Sequence, residues 1–167
     1  MSDTADSQVG EGSGPVSLPI EINAQYIKDL SFENPRAPKS LRPQQLQPKV
    51  EVHVDVKATR LAEETYEVTL TVTVNGANDE GQLFLVELSY AGVFTLKNMP
   101  QEHIQAVLLI ECPRLIFPFA RNIVADVTRD GGFPPLLIQP VDFGQLYRQS
   151  LATENLDTAG EVNPPTE

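Results

Sequence analysis

The chain has 167 residues with 12 basic and 23 acidic side chains, which give a formal net charge of −11. Phosphate backbones and anionic lipid repel so acidic a protein, which excludes nucleic acid and membrane surfaces as partners. A basic protein partner is favoured, unless the charge serves solubility alone. Cys112 is the single cysteine, which excludes an internal disulfide and fits a reducing compartment. We find neither a signal peptide nor the roughly 20 apolar residues of a membrane span, and we expect a cytoplasmic protein.

Both ends of the chain are acidic and poor in apolar residues. Residues 1–20 hold three acids and no base, and residues 153–167 hold four acids and no base. Segments of this composition bury too little apolar area to offset the entropy lost on ordering. We therefore predict a disordered acidic tail at 1–20, one folded domain at 21–152 and a flexible acidic tail at 153–167.

Four segments alternate between apolar and polar residues, with the period of two that is typical of strands. They span residues 24–33, 50–56, 65–74 and 82–94. Lys28 breaks the alternation of the first segment, which places that strand near a sheet edge. A proline-rich loop separates the first two segments, and loops of that length are often functional. The pattern predicts an antiparallel sheet with one buried and one polar face.

The periodicity becomes helical after Pro100. We predict a short helix around 104–111 that Cys112 and Pro113 interrupt, then a helix at 117–129 that a glycine pair stops. An apolar connector kept extended by prolines follows at 133–140, and Asp142 then caps a last helix, with Gln145 as its capping-box partner. Four strands followed by helices predict an α+β fold, with the helices on one face of a four-stranded antiparallel sheet. We expect the helices and sheet edges to mediate oligomerisation.

The sequence offers little catalytic chemistry. It has no glycine-rich phosphate loop, and its two histidines, His53 and His103, are not spaced as metal ligands. Cys112 precedes a proline and is predicted to be a small buried apolar residue rather than a nucleophile. We therefore predict no enzyme, no metal and no cofactor, with a small-ligand enzyme or carrier as the rival interpretation.

The outward face of the predicted sheet combines apolar and acidic residues. Alternation in the last strand places Leu83 and Leu85 beside Glu87 on this face, and the first strand places Asp29 and Glu33 there. Apolar residues framed by acids on a flat sheet are typical of a docking patch, although a solvated face with an incidental leucine gives the same pattern.

Four segments, in this order along 24–152, resemble the SecB family of bacterial export chaperones. Residues 26–35 are similar to the family's K-D-x-S-F-E-x-P run, and 84–94 to its F-L-x-E-V and G-x-F. Residues 112–121 resemble C-P-x-x-L-F-P-Y-A-R, and 132–143 resemble G-x-F-P-x-L followed by L-x-P-V-N-F. Each motif alone is weak, and together they are specific. Asp142 departs from the family's Asn, but it still suits a helix cap.

The resemblance implies a homotetramer, a dimer of dimers, that binds unfolded preproteins without ATP and delivers them to the motor SecA. The implied SecA-binding residues are Asp29, Glu33, Leu85 and Glu87. The implied client-binding residues are Leu30, Phe32, Leu46, Val50, Phe143, Leu146 and Tyr147. An alternative with the same fold is a SecB-like chaperone that serves a toxin–antitoxin system.

Overall fold

The computed structural model describes residues 19–43 and 47–159, with side chains as far as residue 153. Four antiparallel strands form one sheet in the order β1–β4–β3–β2. The strands are β1 (Ile20–Glu33), β2 (Lys49–Arg60), β3 (Thr65–Asn78) and β4 (Gly81–Leu96). The predicted fold class is confirmed, and β1 lies at an edge. Because β1 begins at Ile20, this residue belongs to the sheet and not to the predicted N-terminal tail, and residues 1–18 lie outside the described residues.

Strand β3 shows why this sequence forms a two-faced sheet. Five alternate side chains from Tyr66 to Val74 are at most 7 % exposed, and the intervening threonines are half-buried on the other face. Branched residues suit the pleated surface, and burying each large aliphatic side chain contributes roughly 1.5–3 kcal/mol. The buried face, which we call the inner face, therefore fixes the register of the strands that pair with β3.

A bulge near the start of β4 corrects one sequence-based prediction. Gly76 pairs with Phe84 and Ala77 pairs with Gln82, so Leu83 is the extra residue in the ladder. Leu83 is 1 % exposed and Phe84 is 5 % exposed, so two consecutive residues are buried. The prediction that Leu83 lies on the outward face is wrong, because strict alternation fails at a bulge.

The helical segments run without interruption from Gln101 to Asp130. They comprise α1 (Gln101–Ala106), a π-helical turn (Val107–Glu111) and α2 (Cys112–Asp130). The predicted break at Cys112 and Pro113 is wrong. The Cys112 N–H donates to the Val107 carbonyl five residues earlier, and this wider turn accommodates a proline that has no N–H of its own. Burial raises the pKa of the Cys112 thiol to about 12, which agrees with an inert apolar residue.

Helix α2 covers the middle of the inner face, where Ile116, Ala120 and Val124 are fully buried against β3 and β4. It ends at Asp130, beside the predicted glycine stop. The last helix, α3, spans Phe143–Ala159, and the Gln145 N–H donates to Asp142 Oδ1 at 2.9 Å, so the predicted cap is confirmed. The helix continues past residue 153, where we predicted a tail, and residues 160–167 lie outside the described residues.

Candidate functional site

A groove of about 620 Å³ opens on the inner side of the sheet, beside the start of β2. The long loop forms one wall with residues 40–43, 47 and 48, and Val50 continues that wall. Gly132 and the first four connector residues, 133–136, form the opposite wall, while Leu83 and Phe84 form the floor. The lining is mostly leucine, phenylalanine, valine and proline, which is typical of a site that takes apolar groups.

Three phenylalanines, which we call the aromatic cluster, support the groove from three elements. The rings of Phe84 and Phe133 lie 4.9 Å apart between centroids, and the Phe32 ring lies 6.4 Å from each of them. Such pairs contribute about 0.5–1.5 kcal/mol each beyond the area they bury. Gly131 permits this packing, because a Cβ there would lie 2.1 Å from Cζ of Phe32. The cluster therefore joins β1, β4 and the segment after α2.

The start of the long loop is tied to the β3–β4 hairpin. Arg36 donates to Asn78 Oδ1 at 3.2 Å and forms an ion pair with Glu80. Ser40, which is 3 % exposed, donates to the Asn34 side chain. These contacts hold the loop wall of the groove close to the sheet, so part of the groove is formed before any ligand binds.

The opposite, outer face of the sheet carries the predicted acidic residues. Glu33 pairs with Leu85, and Ser31 pairs with Glu87. Asp29 pairs with Ser89, and directly opposed residues of antiparallel strands share a face. Asp29, Glu33 and Glu87 are exposed, and Leu85 is half-buried between them. The structure thus brings Asp29, Glu33, Leu85 and Glu87 of the predicted docking patch together on one surface, which we call the acidic face, whereas Leu83 is excluded from it.

The carboxylates of the acidic face stand without counter-charges. Within the part of the chain whose side chains are described, Asp29, Glu33 and Glu87 form no ion pair. Farther along the outer face the charges are paired, because Lys28 Nζ lies 2.7 Å from Glu67 Oε1. These three carboxylates therefore contribute negative potential at the end of β1 and the middle of β4.

The groove and the acidic face lie on opposite sides of the same two strands. Phe84 faces the groove and the next residue, Leu85, faces outward, while Phe32 and Glu33 repeat this arrangement on β1. Successive side chains of a strand point to opposite faces, so one sheet holds two separate surfaces. The groove and the acidic face therefore do not overlap.

Among residues 19–43 and 47–159, no helix is long and apolar enough to cross a membrane. Within the same residues, no group of three or more histidine, cysteine or acidic side chains could hold a metal ion.

Residues 15–154 match the profile of a protein family described as preprotein translocase subunit SecB. The chain belongs to the SecB family. Relatives named protein-export protein SecB include one from Bradyrhizobium, 49 % identical over 93 % of this chain and 98 % of the relative. Another, from Rhodopseudomonas palustris, is 53 % identical over 85 % of this chain and 92 % of the relative. A third, from Maricaulis maris, is 55 % identical over 80 % of this chain and 77 % of the relative.

A solved structure shares the SecB-like fold. It is a SecB-like chaperone of Mycobacterium tuberculosis in complex with a ChAD peptide from the HigA1 antitoxin. Its TM-score with this chain is 0.57 at 19 % identity, and the match covers 73 % of this chain and 90 % of that one. At this identity the likeness concerns the fold alone.

The residues predicted to bind clients lie in different environments. Val50 lines the groove, and Phe32 supports it within the aromatic cluster. Leu30 is 38 % exposed on the inner side of β1, away from the groove lining. Phe143 is only 1 % exposed and packs edge-on against Phe117, so its side chain belongs to the core.

Two further predicted residues, Leu146 and Tyr147, are half-buried on α3. Leu146 lines a separate, smaller pocket of about 220 Å³ beside Asp142. Leu46 lies outside the described residues. Periodicity did not single out the groove residues Phe84 and Phe133, although the apolar, proline-rich connector was a signal for Phe133.

Proposed function

We propose that this chain is an ATP-independent chaperone that binds unfolded preproteins, keeps them translocation-competent and delivers them to the SecA motor. The observation that supports the proposal most strongly is the pairing of an apolar groove with an exposed acidic face, on opposite sides of one sheet in a SecB-family chain. The chaperone acts in the cytoplasm by binding alone, without catalysis or a cofactor.

Clients bind by burying apolar side chains of extended segments in the groove. Each square ångström of apolar area removed from water contributes about 25 cal/mol, and the groove recognises apolar character more than a particular sequence. The client contacts that we retain are Val50 on the wall and Phe32 in the supporting cluster. Several such weak sites on one assembled particle would add up through avidity.

SecA binds at the acidic face through a basic surface of its own. Asp29, Glu33 and Glu87 supply unpaired negative charge, and Leu85 supplies an apolar contact among them. Complementary charge accelerates encounter and fixes the orientation of a partner, while the leucine adds apolar area to the contact. This contact leaves the groove on the other side of the sheet accessible to the client.

The working particle is a homotetramer, arranged as a dimer of dimers. The β1 edge and helix α2 leave a set of large apolar side chains 38–51 % exposed, more than a monomer in water ordinarily keeps together. They are Ile22, Ile27, Leu30, Leu115 and Phe119. A second copy packing on this set would remove them from water and would cover the edge strand.

An antitoxin client in a toxin–antitoxin system is the less supported alternative. The sequence relatives at about half identity are named for protein export, whereas the antitoxin-bound neighbour shares only the fold. A toxin gene beside the gene for this chain would favour that alternative.

The proposal is tested by measuring how well the pure protein keeps a denatured precursor from aggregating, with light scattering as the readout. We compare Leu41→Asp with Leu61→Asp, because Leu41 is 45 % exposed and lines the groove while Leu61 is 55 % exposed in the β2–β3 turn. A carboxylate in the groove should weaken precursor binding about tenfold or more, since burying a leucine contributes roughly 1.5–3 kcal/mol. Equal behaviour of the two variants would contradict the groove as the client site.

The delivery step has its own test. Glu87→Lys should weaken SecA binding and leave precursor binding unchanged, whereas Glu63→Lys, an exposed charge reversal in the β2–β3 turn, should change neither. SecA affinities measured by calorimetry separate the two variants. A wild-type protein that remains a monomer and ignores the precursor would overturn the whole proposal.

A further inference from the structure

Thr128 of helix α2 accepts hydrogen bonds from two backbone amides of the connector wall of the groove. Thr128 lies in the last turns of α2 and is fully buried. Its backbone carbonyl accepts a hydrogen bond from the Phe133 N–H at 3.1 Å. Its side-chain oxygen, Oγ1, accepts a second one from the Leu136 N–H at 2.9 Å. Thr128 thus anchors both ends of the segment 133–136, which forms most of this wall, while the Gly132 N–H donates to the Arg129 carbonyl at 3.0 Å.

These two bonds use every backbone donor of the segment. Pro134 and Pro135 stand between Phe133 and Leu136, and proline has no N–H. All four residues line the groove. The wall therefore offers a client no free N–H group, and it can contact the client only through apolar atoms and carbonyl oxygens.

The geometry of the Thr128 hydroxyl fits this role. The group has one proton and two lone pairs, and its oxygen lies 2.9 Å from the Val124 carbonyl and 3.0 Å from the Ala125 carbonyl. Its proton is shared between these two helix carbonyls, which leaves a lone pair directed at the Leu136 N–H. The hydroxyl is therefore oriented by the helix before the connector packs against it.

We propose that Thr128 is a positioning residue for client binding, which acts through the connector and contacts no client itself. It holds Phe133 against Phe32 and Phe84 and keeps the wall without free backbone donors. Binding at this wall then depends on apolar burial rather than on strand-like pairing, which makes it tolerant of client sequence. This inference rests on the proposed chaperone function, but the anchor itself can be tested without a client.

Two substitutions distinguish the effect of the Thr128 hydroxyl from the effect of the rest of its side chain. Thr128→Val keeps the size and branching and removes the acceptor, so the Leu136 N–H loses its buried partner. Thr128→Ser keeps the hydroxyl and loses only the methyl group. A hydrogen bond that contributes about 0.5–1.5 kcal/mol corresponds to a change of roughly two- to tenfold in an equilibrium constant.

Hydrogen exchange of the full-length protein provides the first readout. In Thr128→Val, exchange of the Leu136 amide should rise about tenfold, while amides in the middle of β3 keep their protection. Precursor affinity should fall by about the same factor, and SecA affinity should stay at the wild-type value because the acidic face is on the other side of the sheet. Thr128→Ser should restore both the exchange rate and the precursor affinity.

Three results would overturn the inference. The first is an unchanged Leu136 exchange rate in Thr128→Val, and the second is unchanged precursor affinity despite faster exchange. The third is a loss in Thr128→Ser as large as that in Thr128→Val, which would assign the effect to the methyl group. If the wild-type protein binds no precursor, the proposed function fails, and the exchange rate still decides whether Thr128 anchors the wall.

Discussion

Glu67 illustrates how single residues shape the outer face. Its carboxylate accepts hydrogen bonds from Lys28, which is partly exposed, and from the Tyr26 hydroxyl. The bond from Lys28, followed by the one from Tyr26, holds the pKa of Glu67 below its usual range. The pKa of the Tyr26 hydroxyl is in turn raised to about 12, mainly by its hydrogen bond to the Glu67 carboxylate. One acid is thus neutralised locally, and the acidic face remains a separate patch.

The Tyr26 pKa predicts a loss of stability in alkali. Tyr26 ionises near pH 10 in the unfolded chain and near 12 in the folded one, so its contribution is complete below about pH 10 and disappears as the pH rises towards 12. The free energy of unfolding in urea should fall over this pH window, and it should fall more for the wild type than for Tyr26→Phe. Tyrosinate absorbance should lose its highest-pH component in the variant, and identical titrations would contradict the assignment.

At the scale of elements, Gly131 is explained by packing and not by backbone freedom. Its φ of −73° is ordinary for any residue, but a Cβ would collide with the Phe32 ring at the end of β1. A residue after a helix is therefore constrained by a strand that is almost 100 positions earlier in the sequence. The contact couples the connector to the sheet edge.

Gly131→Ala should lower the free energy of unfolding by about 1–3 kcal/mol, because the added methyl group overpacks the aromatic cluster. Phe32→Leu removes the ring atoms that the new methyl group meets, and the double variant should be more stable than the sum of the two single effects predicts. Chemical denaturation measures all three. Strict additivity would show that the two residues do not constrain each other.

The whole molecule separates charged from apolar recognition. The acidic face is exposed, and salt screens exposed charges over about 10 Å at moderate ionic strength, so SecA affinity should fall as salt rises. The groove is lined mainly by apolar side chains, and precursor affinity should fall much less. Calorimetric titrations over a salt series give both slopes. Equal slopes would contradict the division of labour between the two faces.

Assembly is the second prediction at this scale. Phe119 is 51 % exposed on α2, and its ring is nearly parallel to that of Tyr90 at 6.5 Å between centroids. Phe119→Glu should place a charge within the proposed interface between copies, and light scattering should report a smaller particle than the wild type. Leu137→Glu, at a connector residue that is 60 % exposed, is the control and should leave the mass unchanged. A variant of Phe119 with wild-type mass would exclude this surface from assembly.

The sheet, its division into an apolar and a polar face, and most of the acidic face follow from local sequence pattern. Strand periodicity depends on neighbouring residues alone, so Asp29, Glu33, Leu85 and Glu87 could be assigned to one face before any coordinates. The cap at Asp142 was equally local, since its partner is three residues away. These features needed no information about distant segments.

The groove and the exceptions to local rules depend instead on contacts between distant segments. The bulge buries Leu83, and the π-turn accommodates Pro113. Both result from strand pairing and packing with residues that the local periodicity of the sequence does not reveal. Phe143 proved to be core, because Phe117 from another helix lies against it. The groove itself forms where a loop, a sheet edge and a connector meet, and contacts between residues so far apart in the chain follow from packing in three dimensions rather than from local pattern.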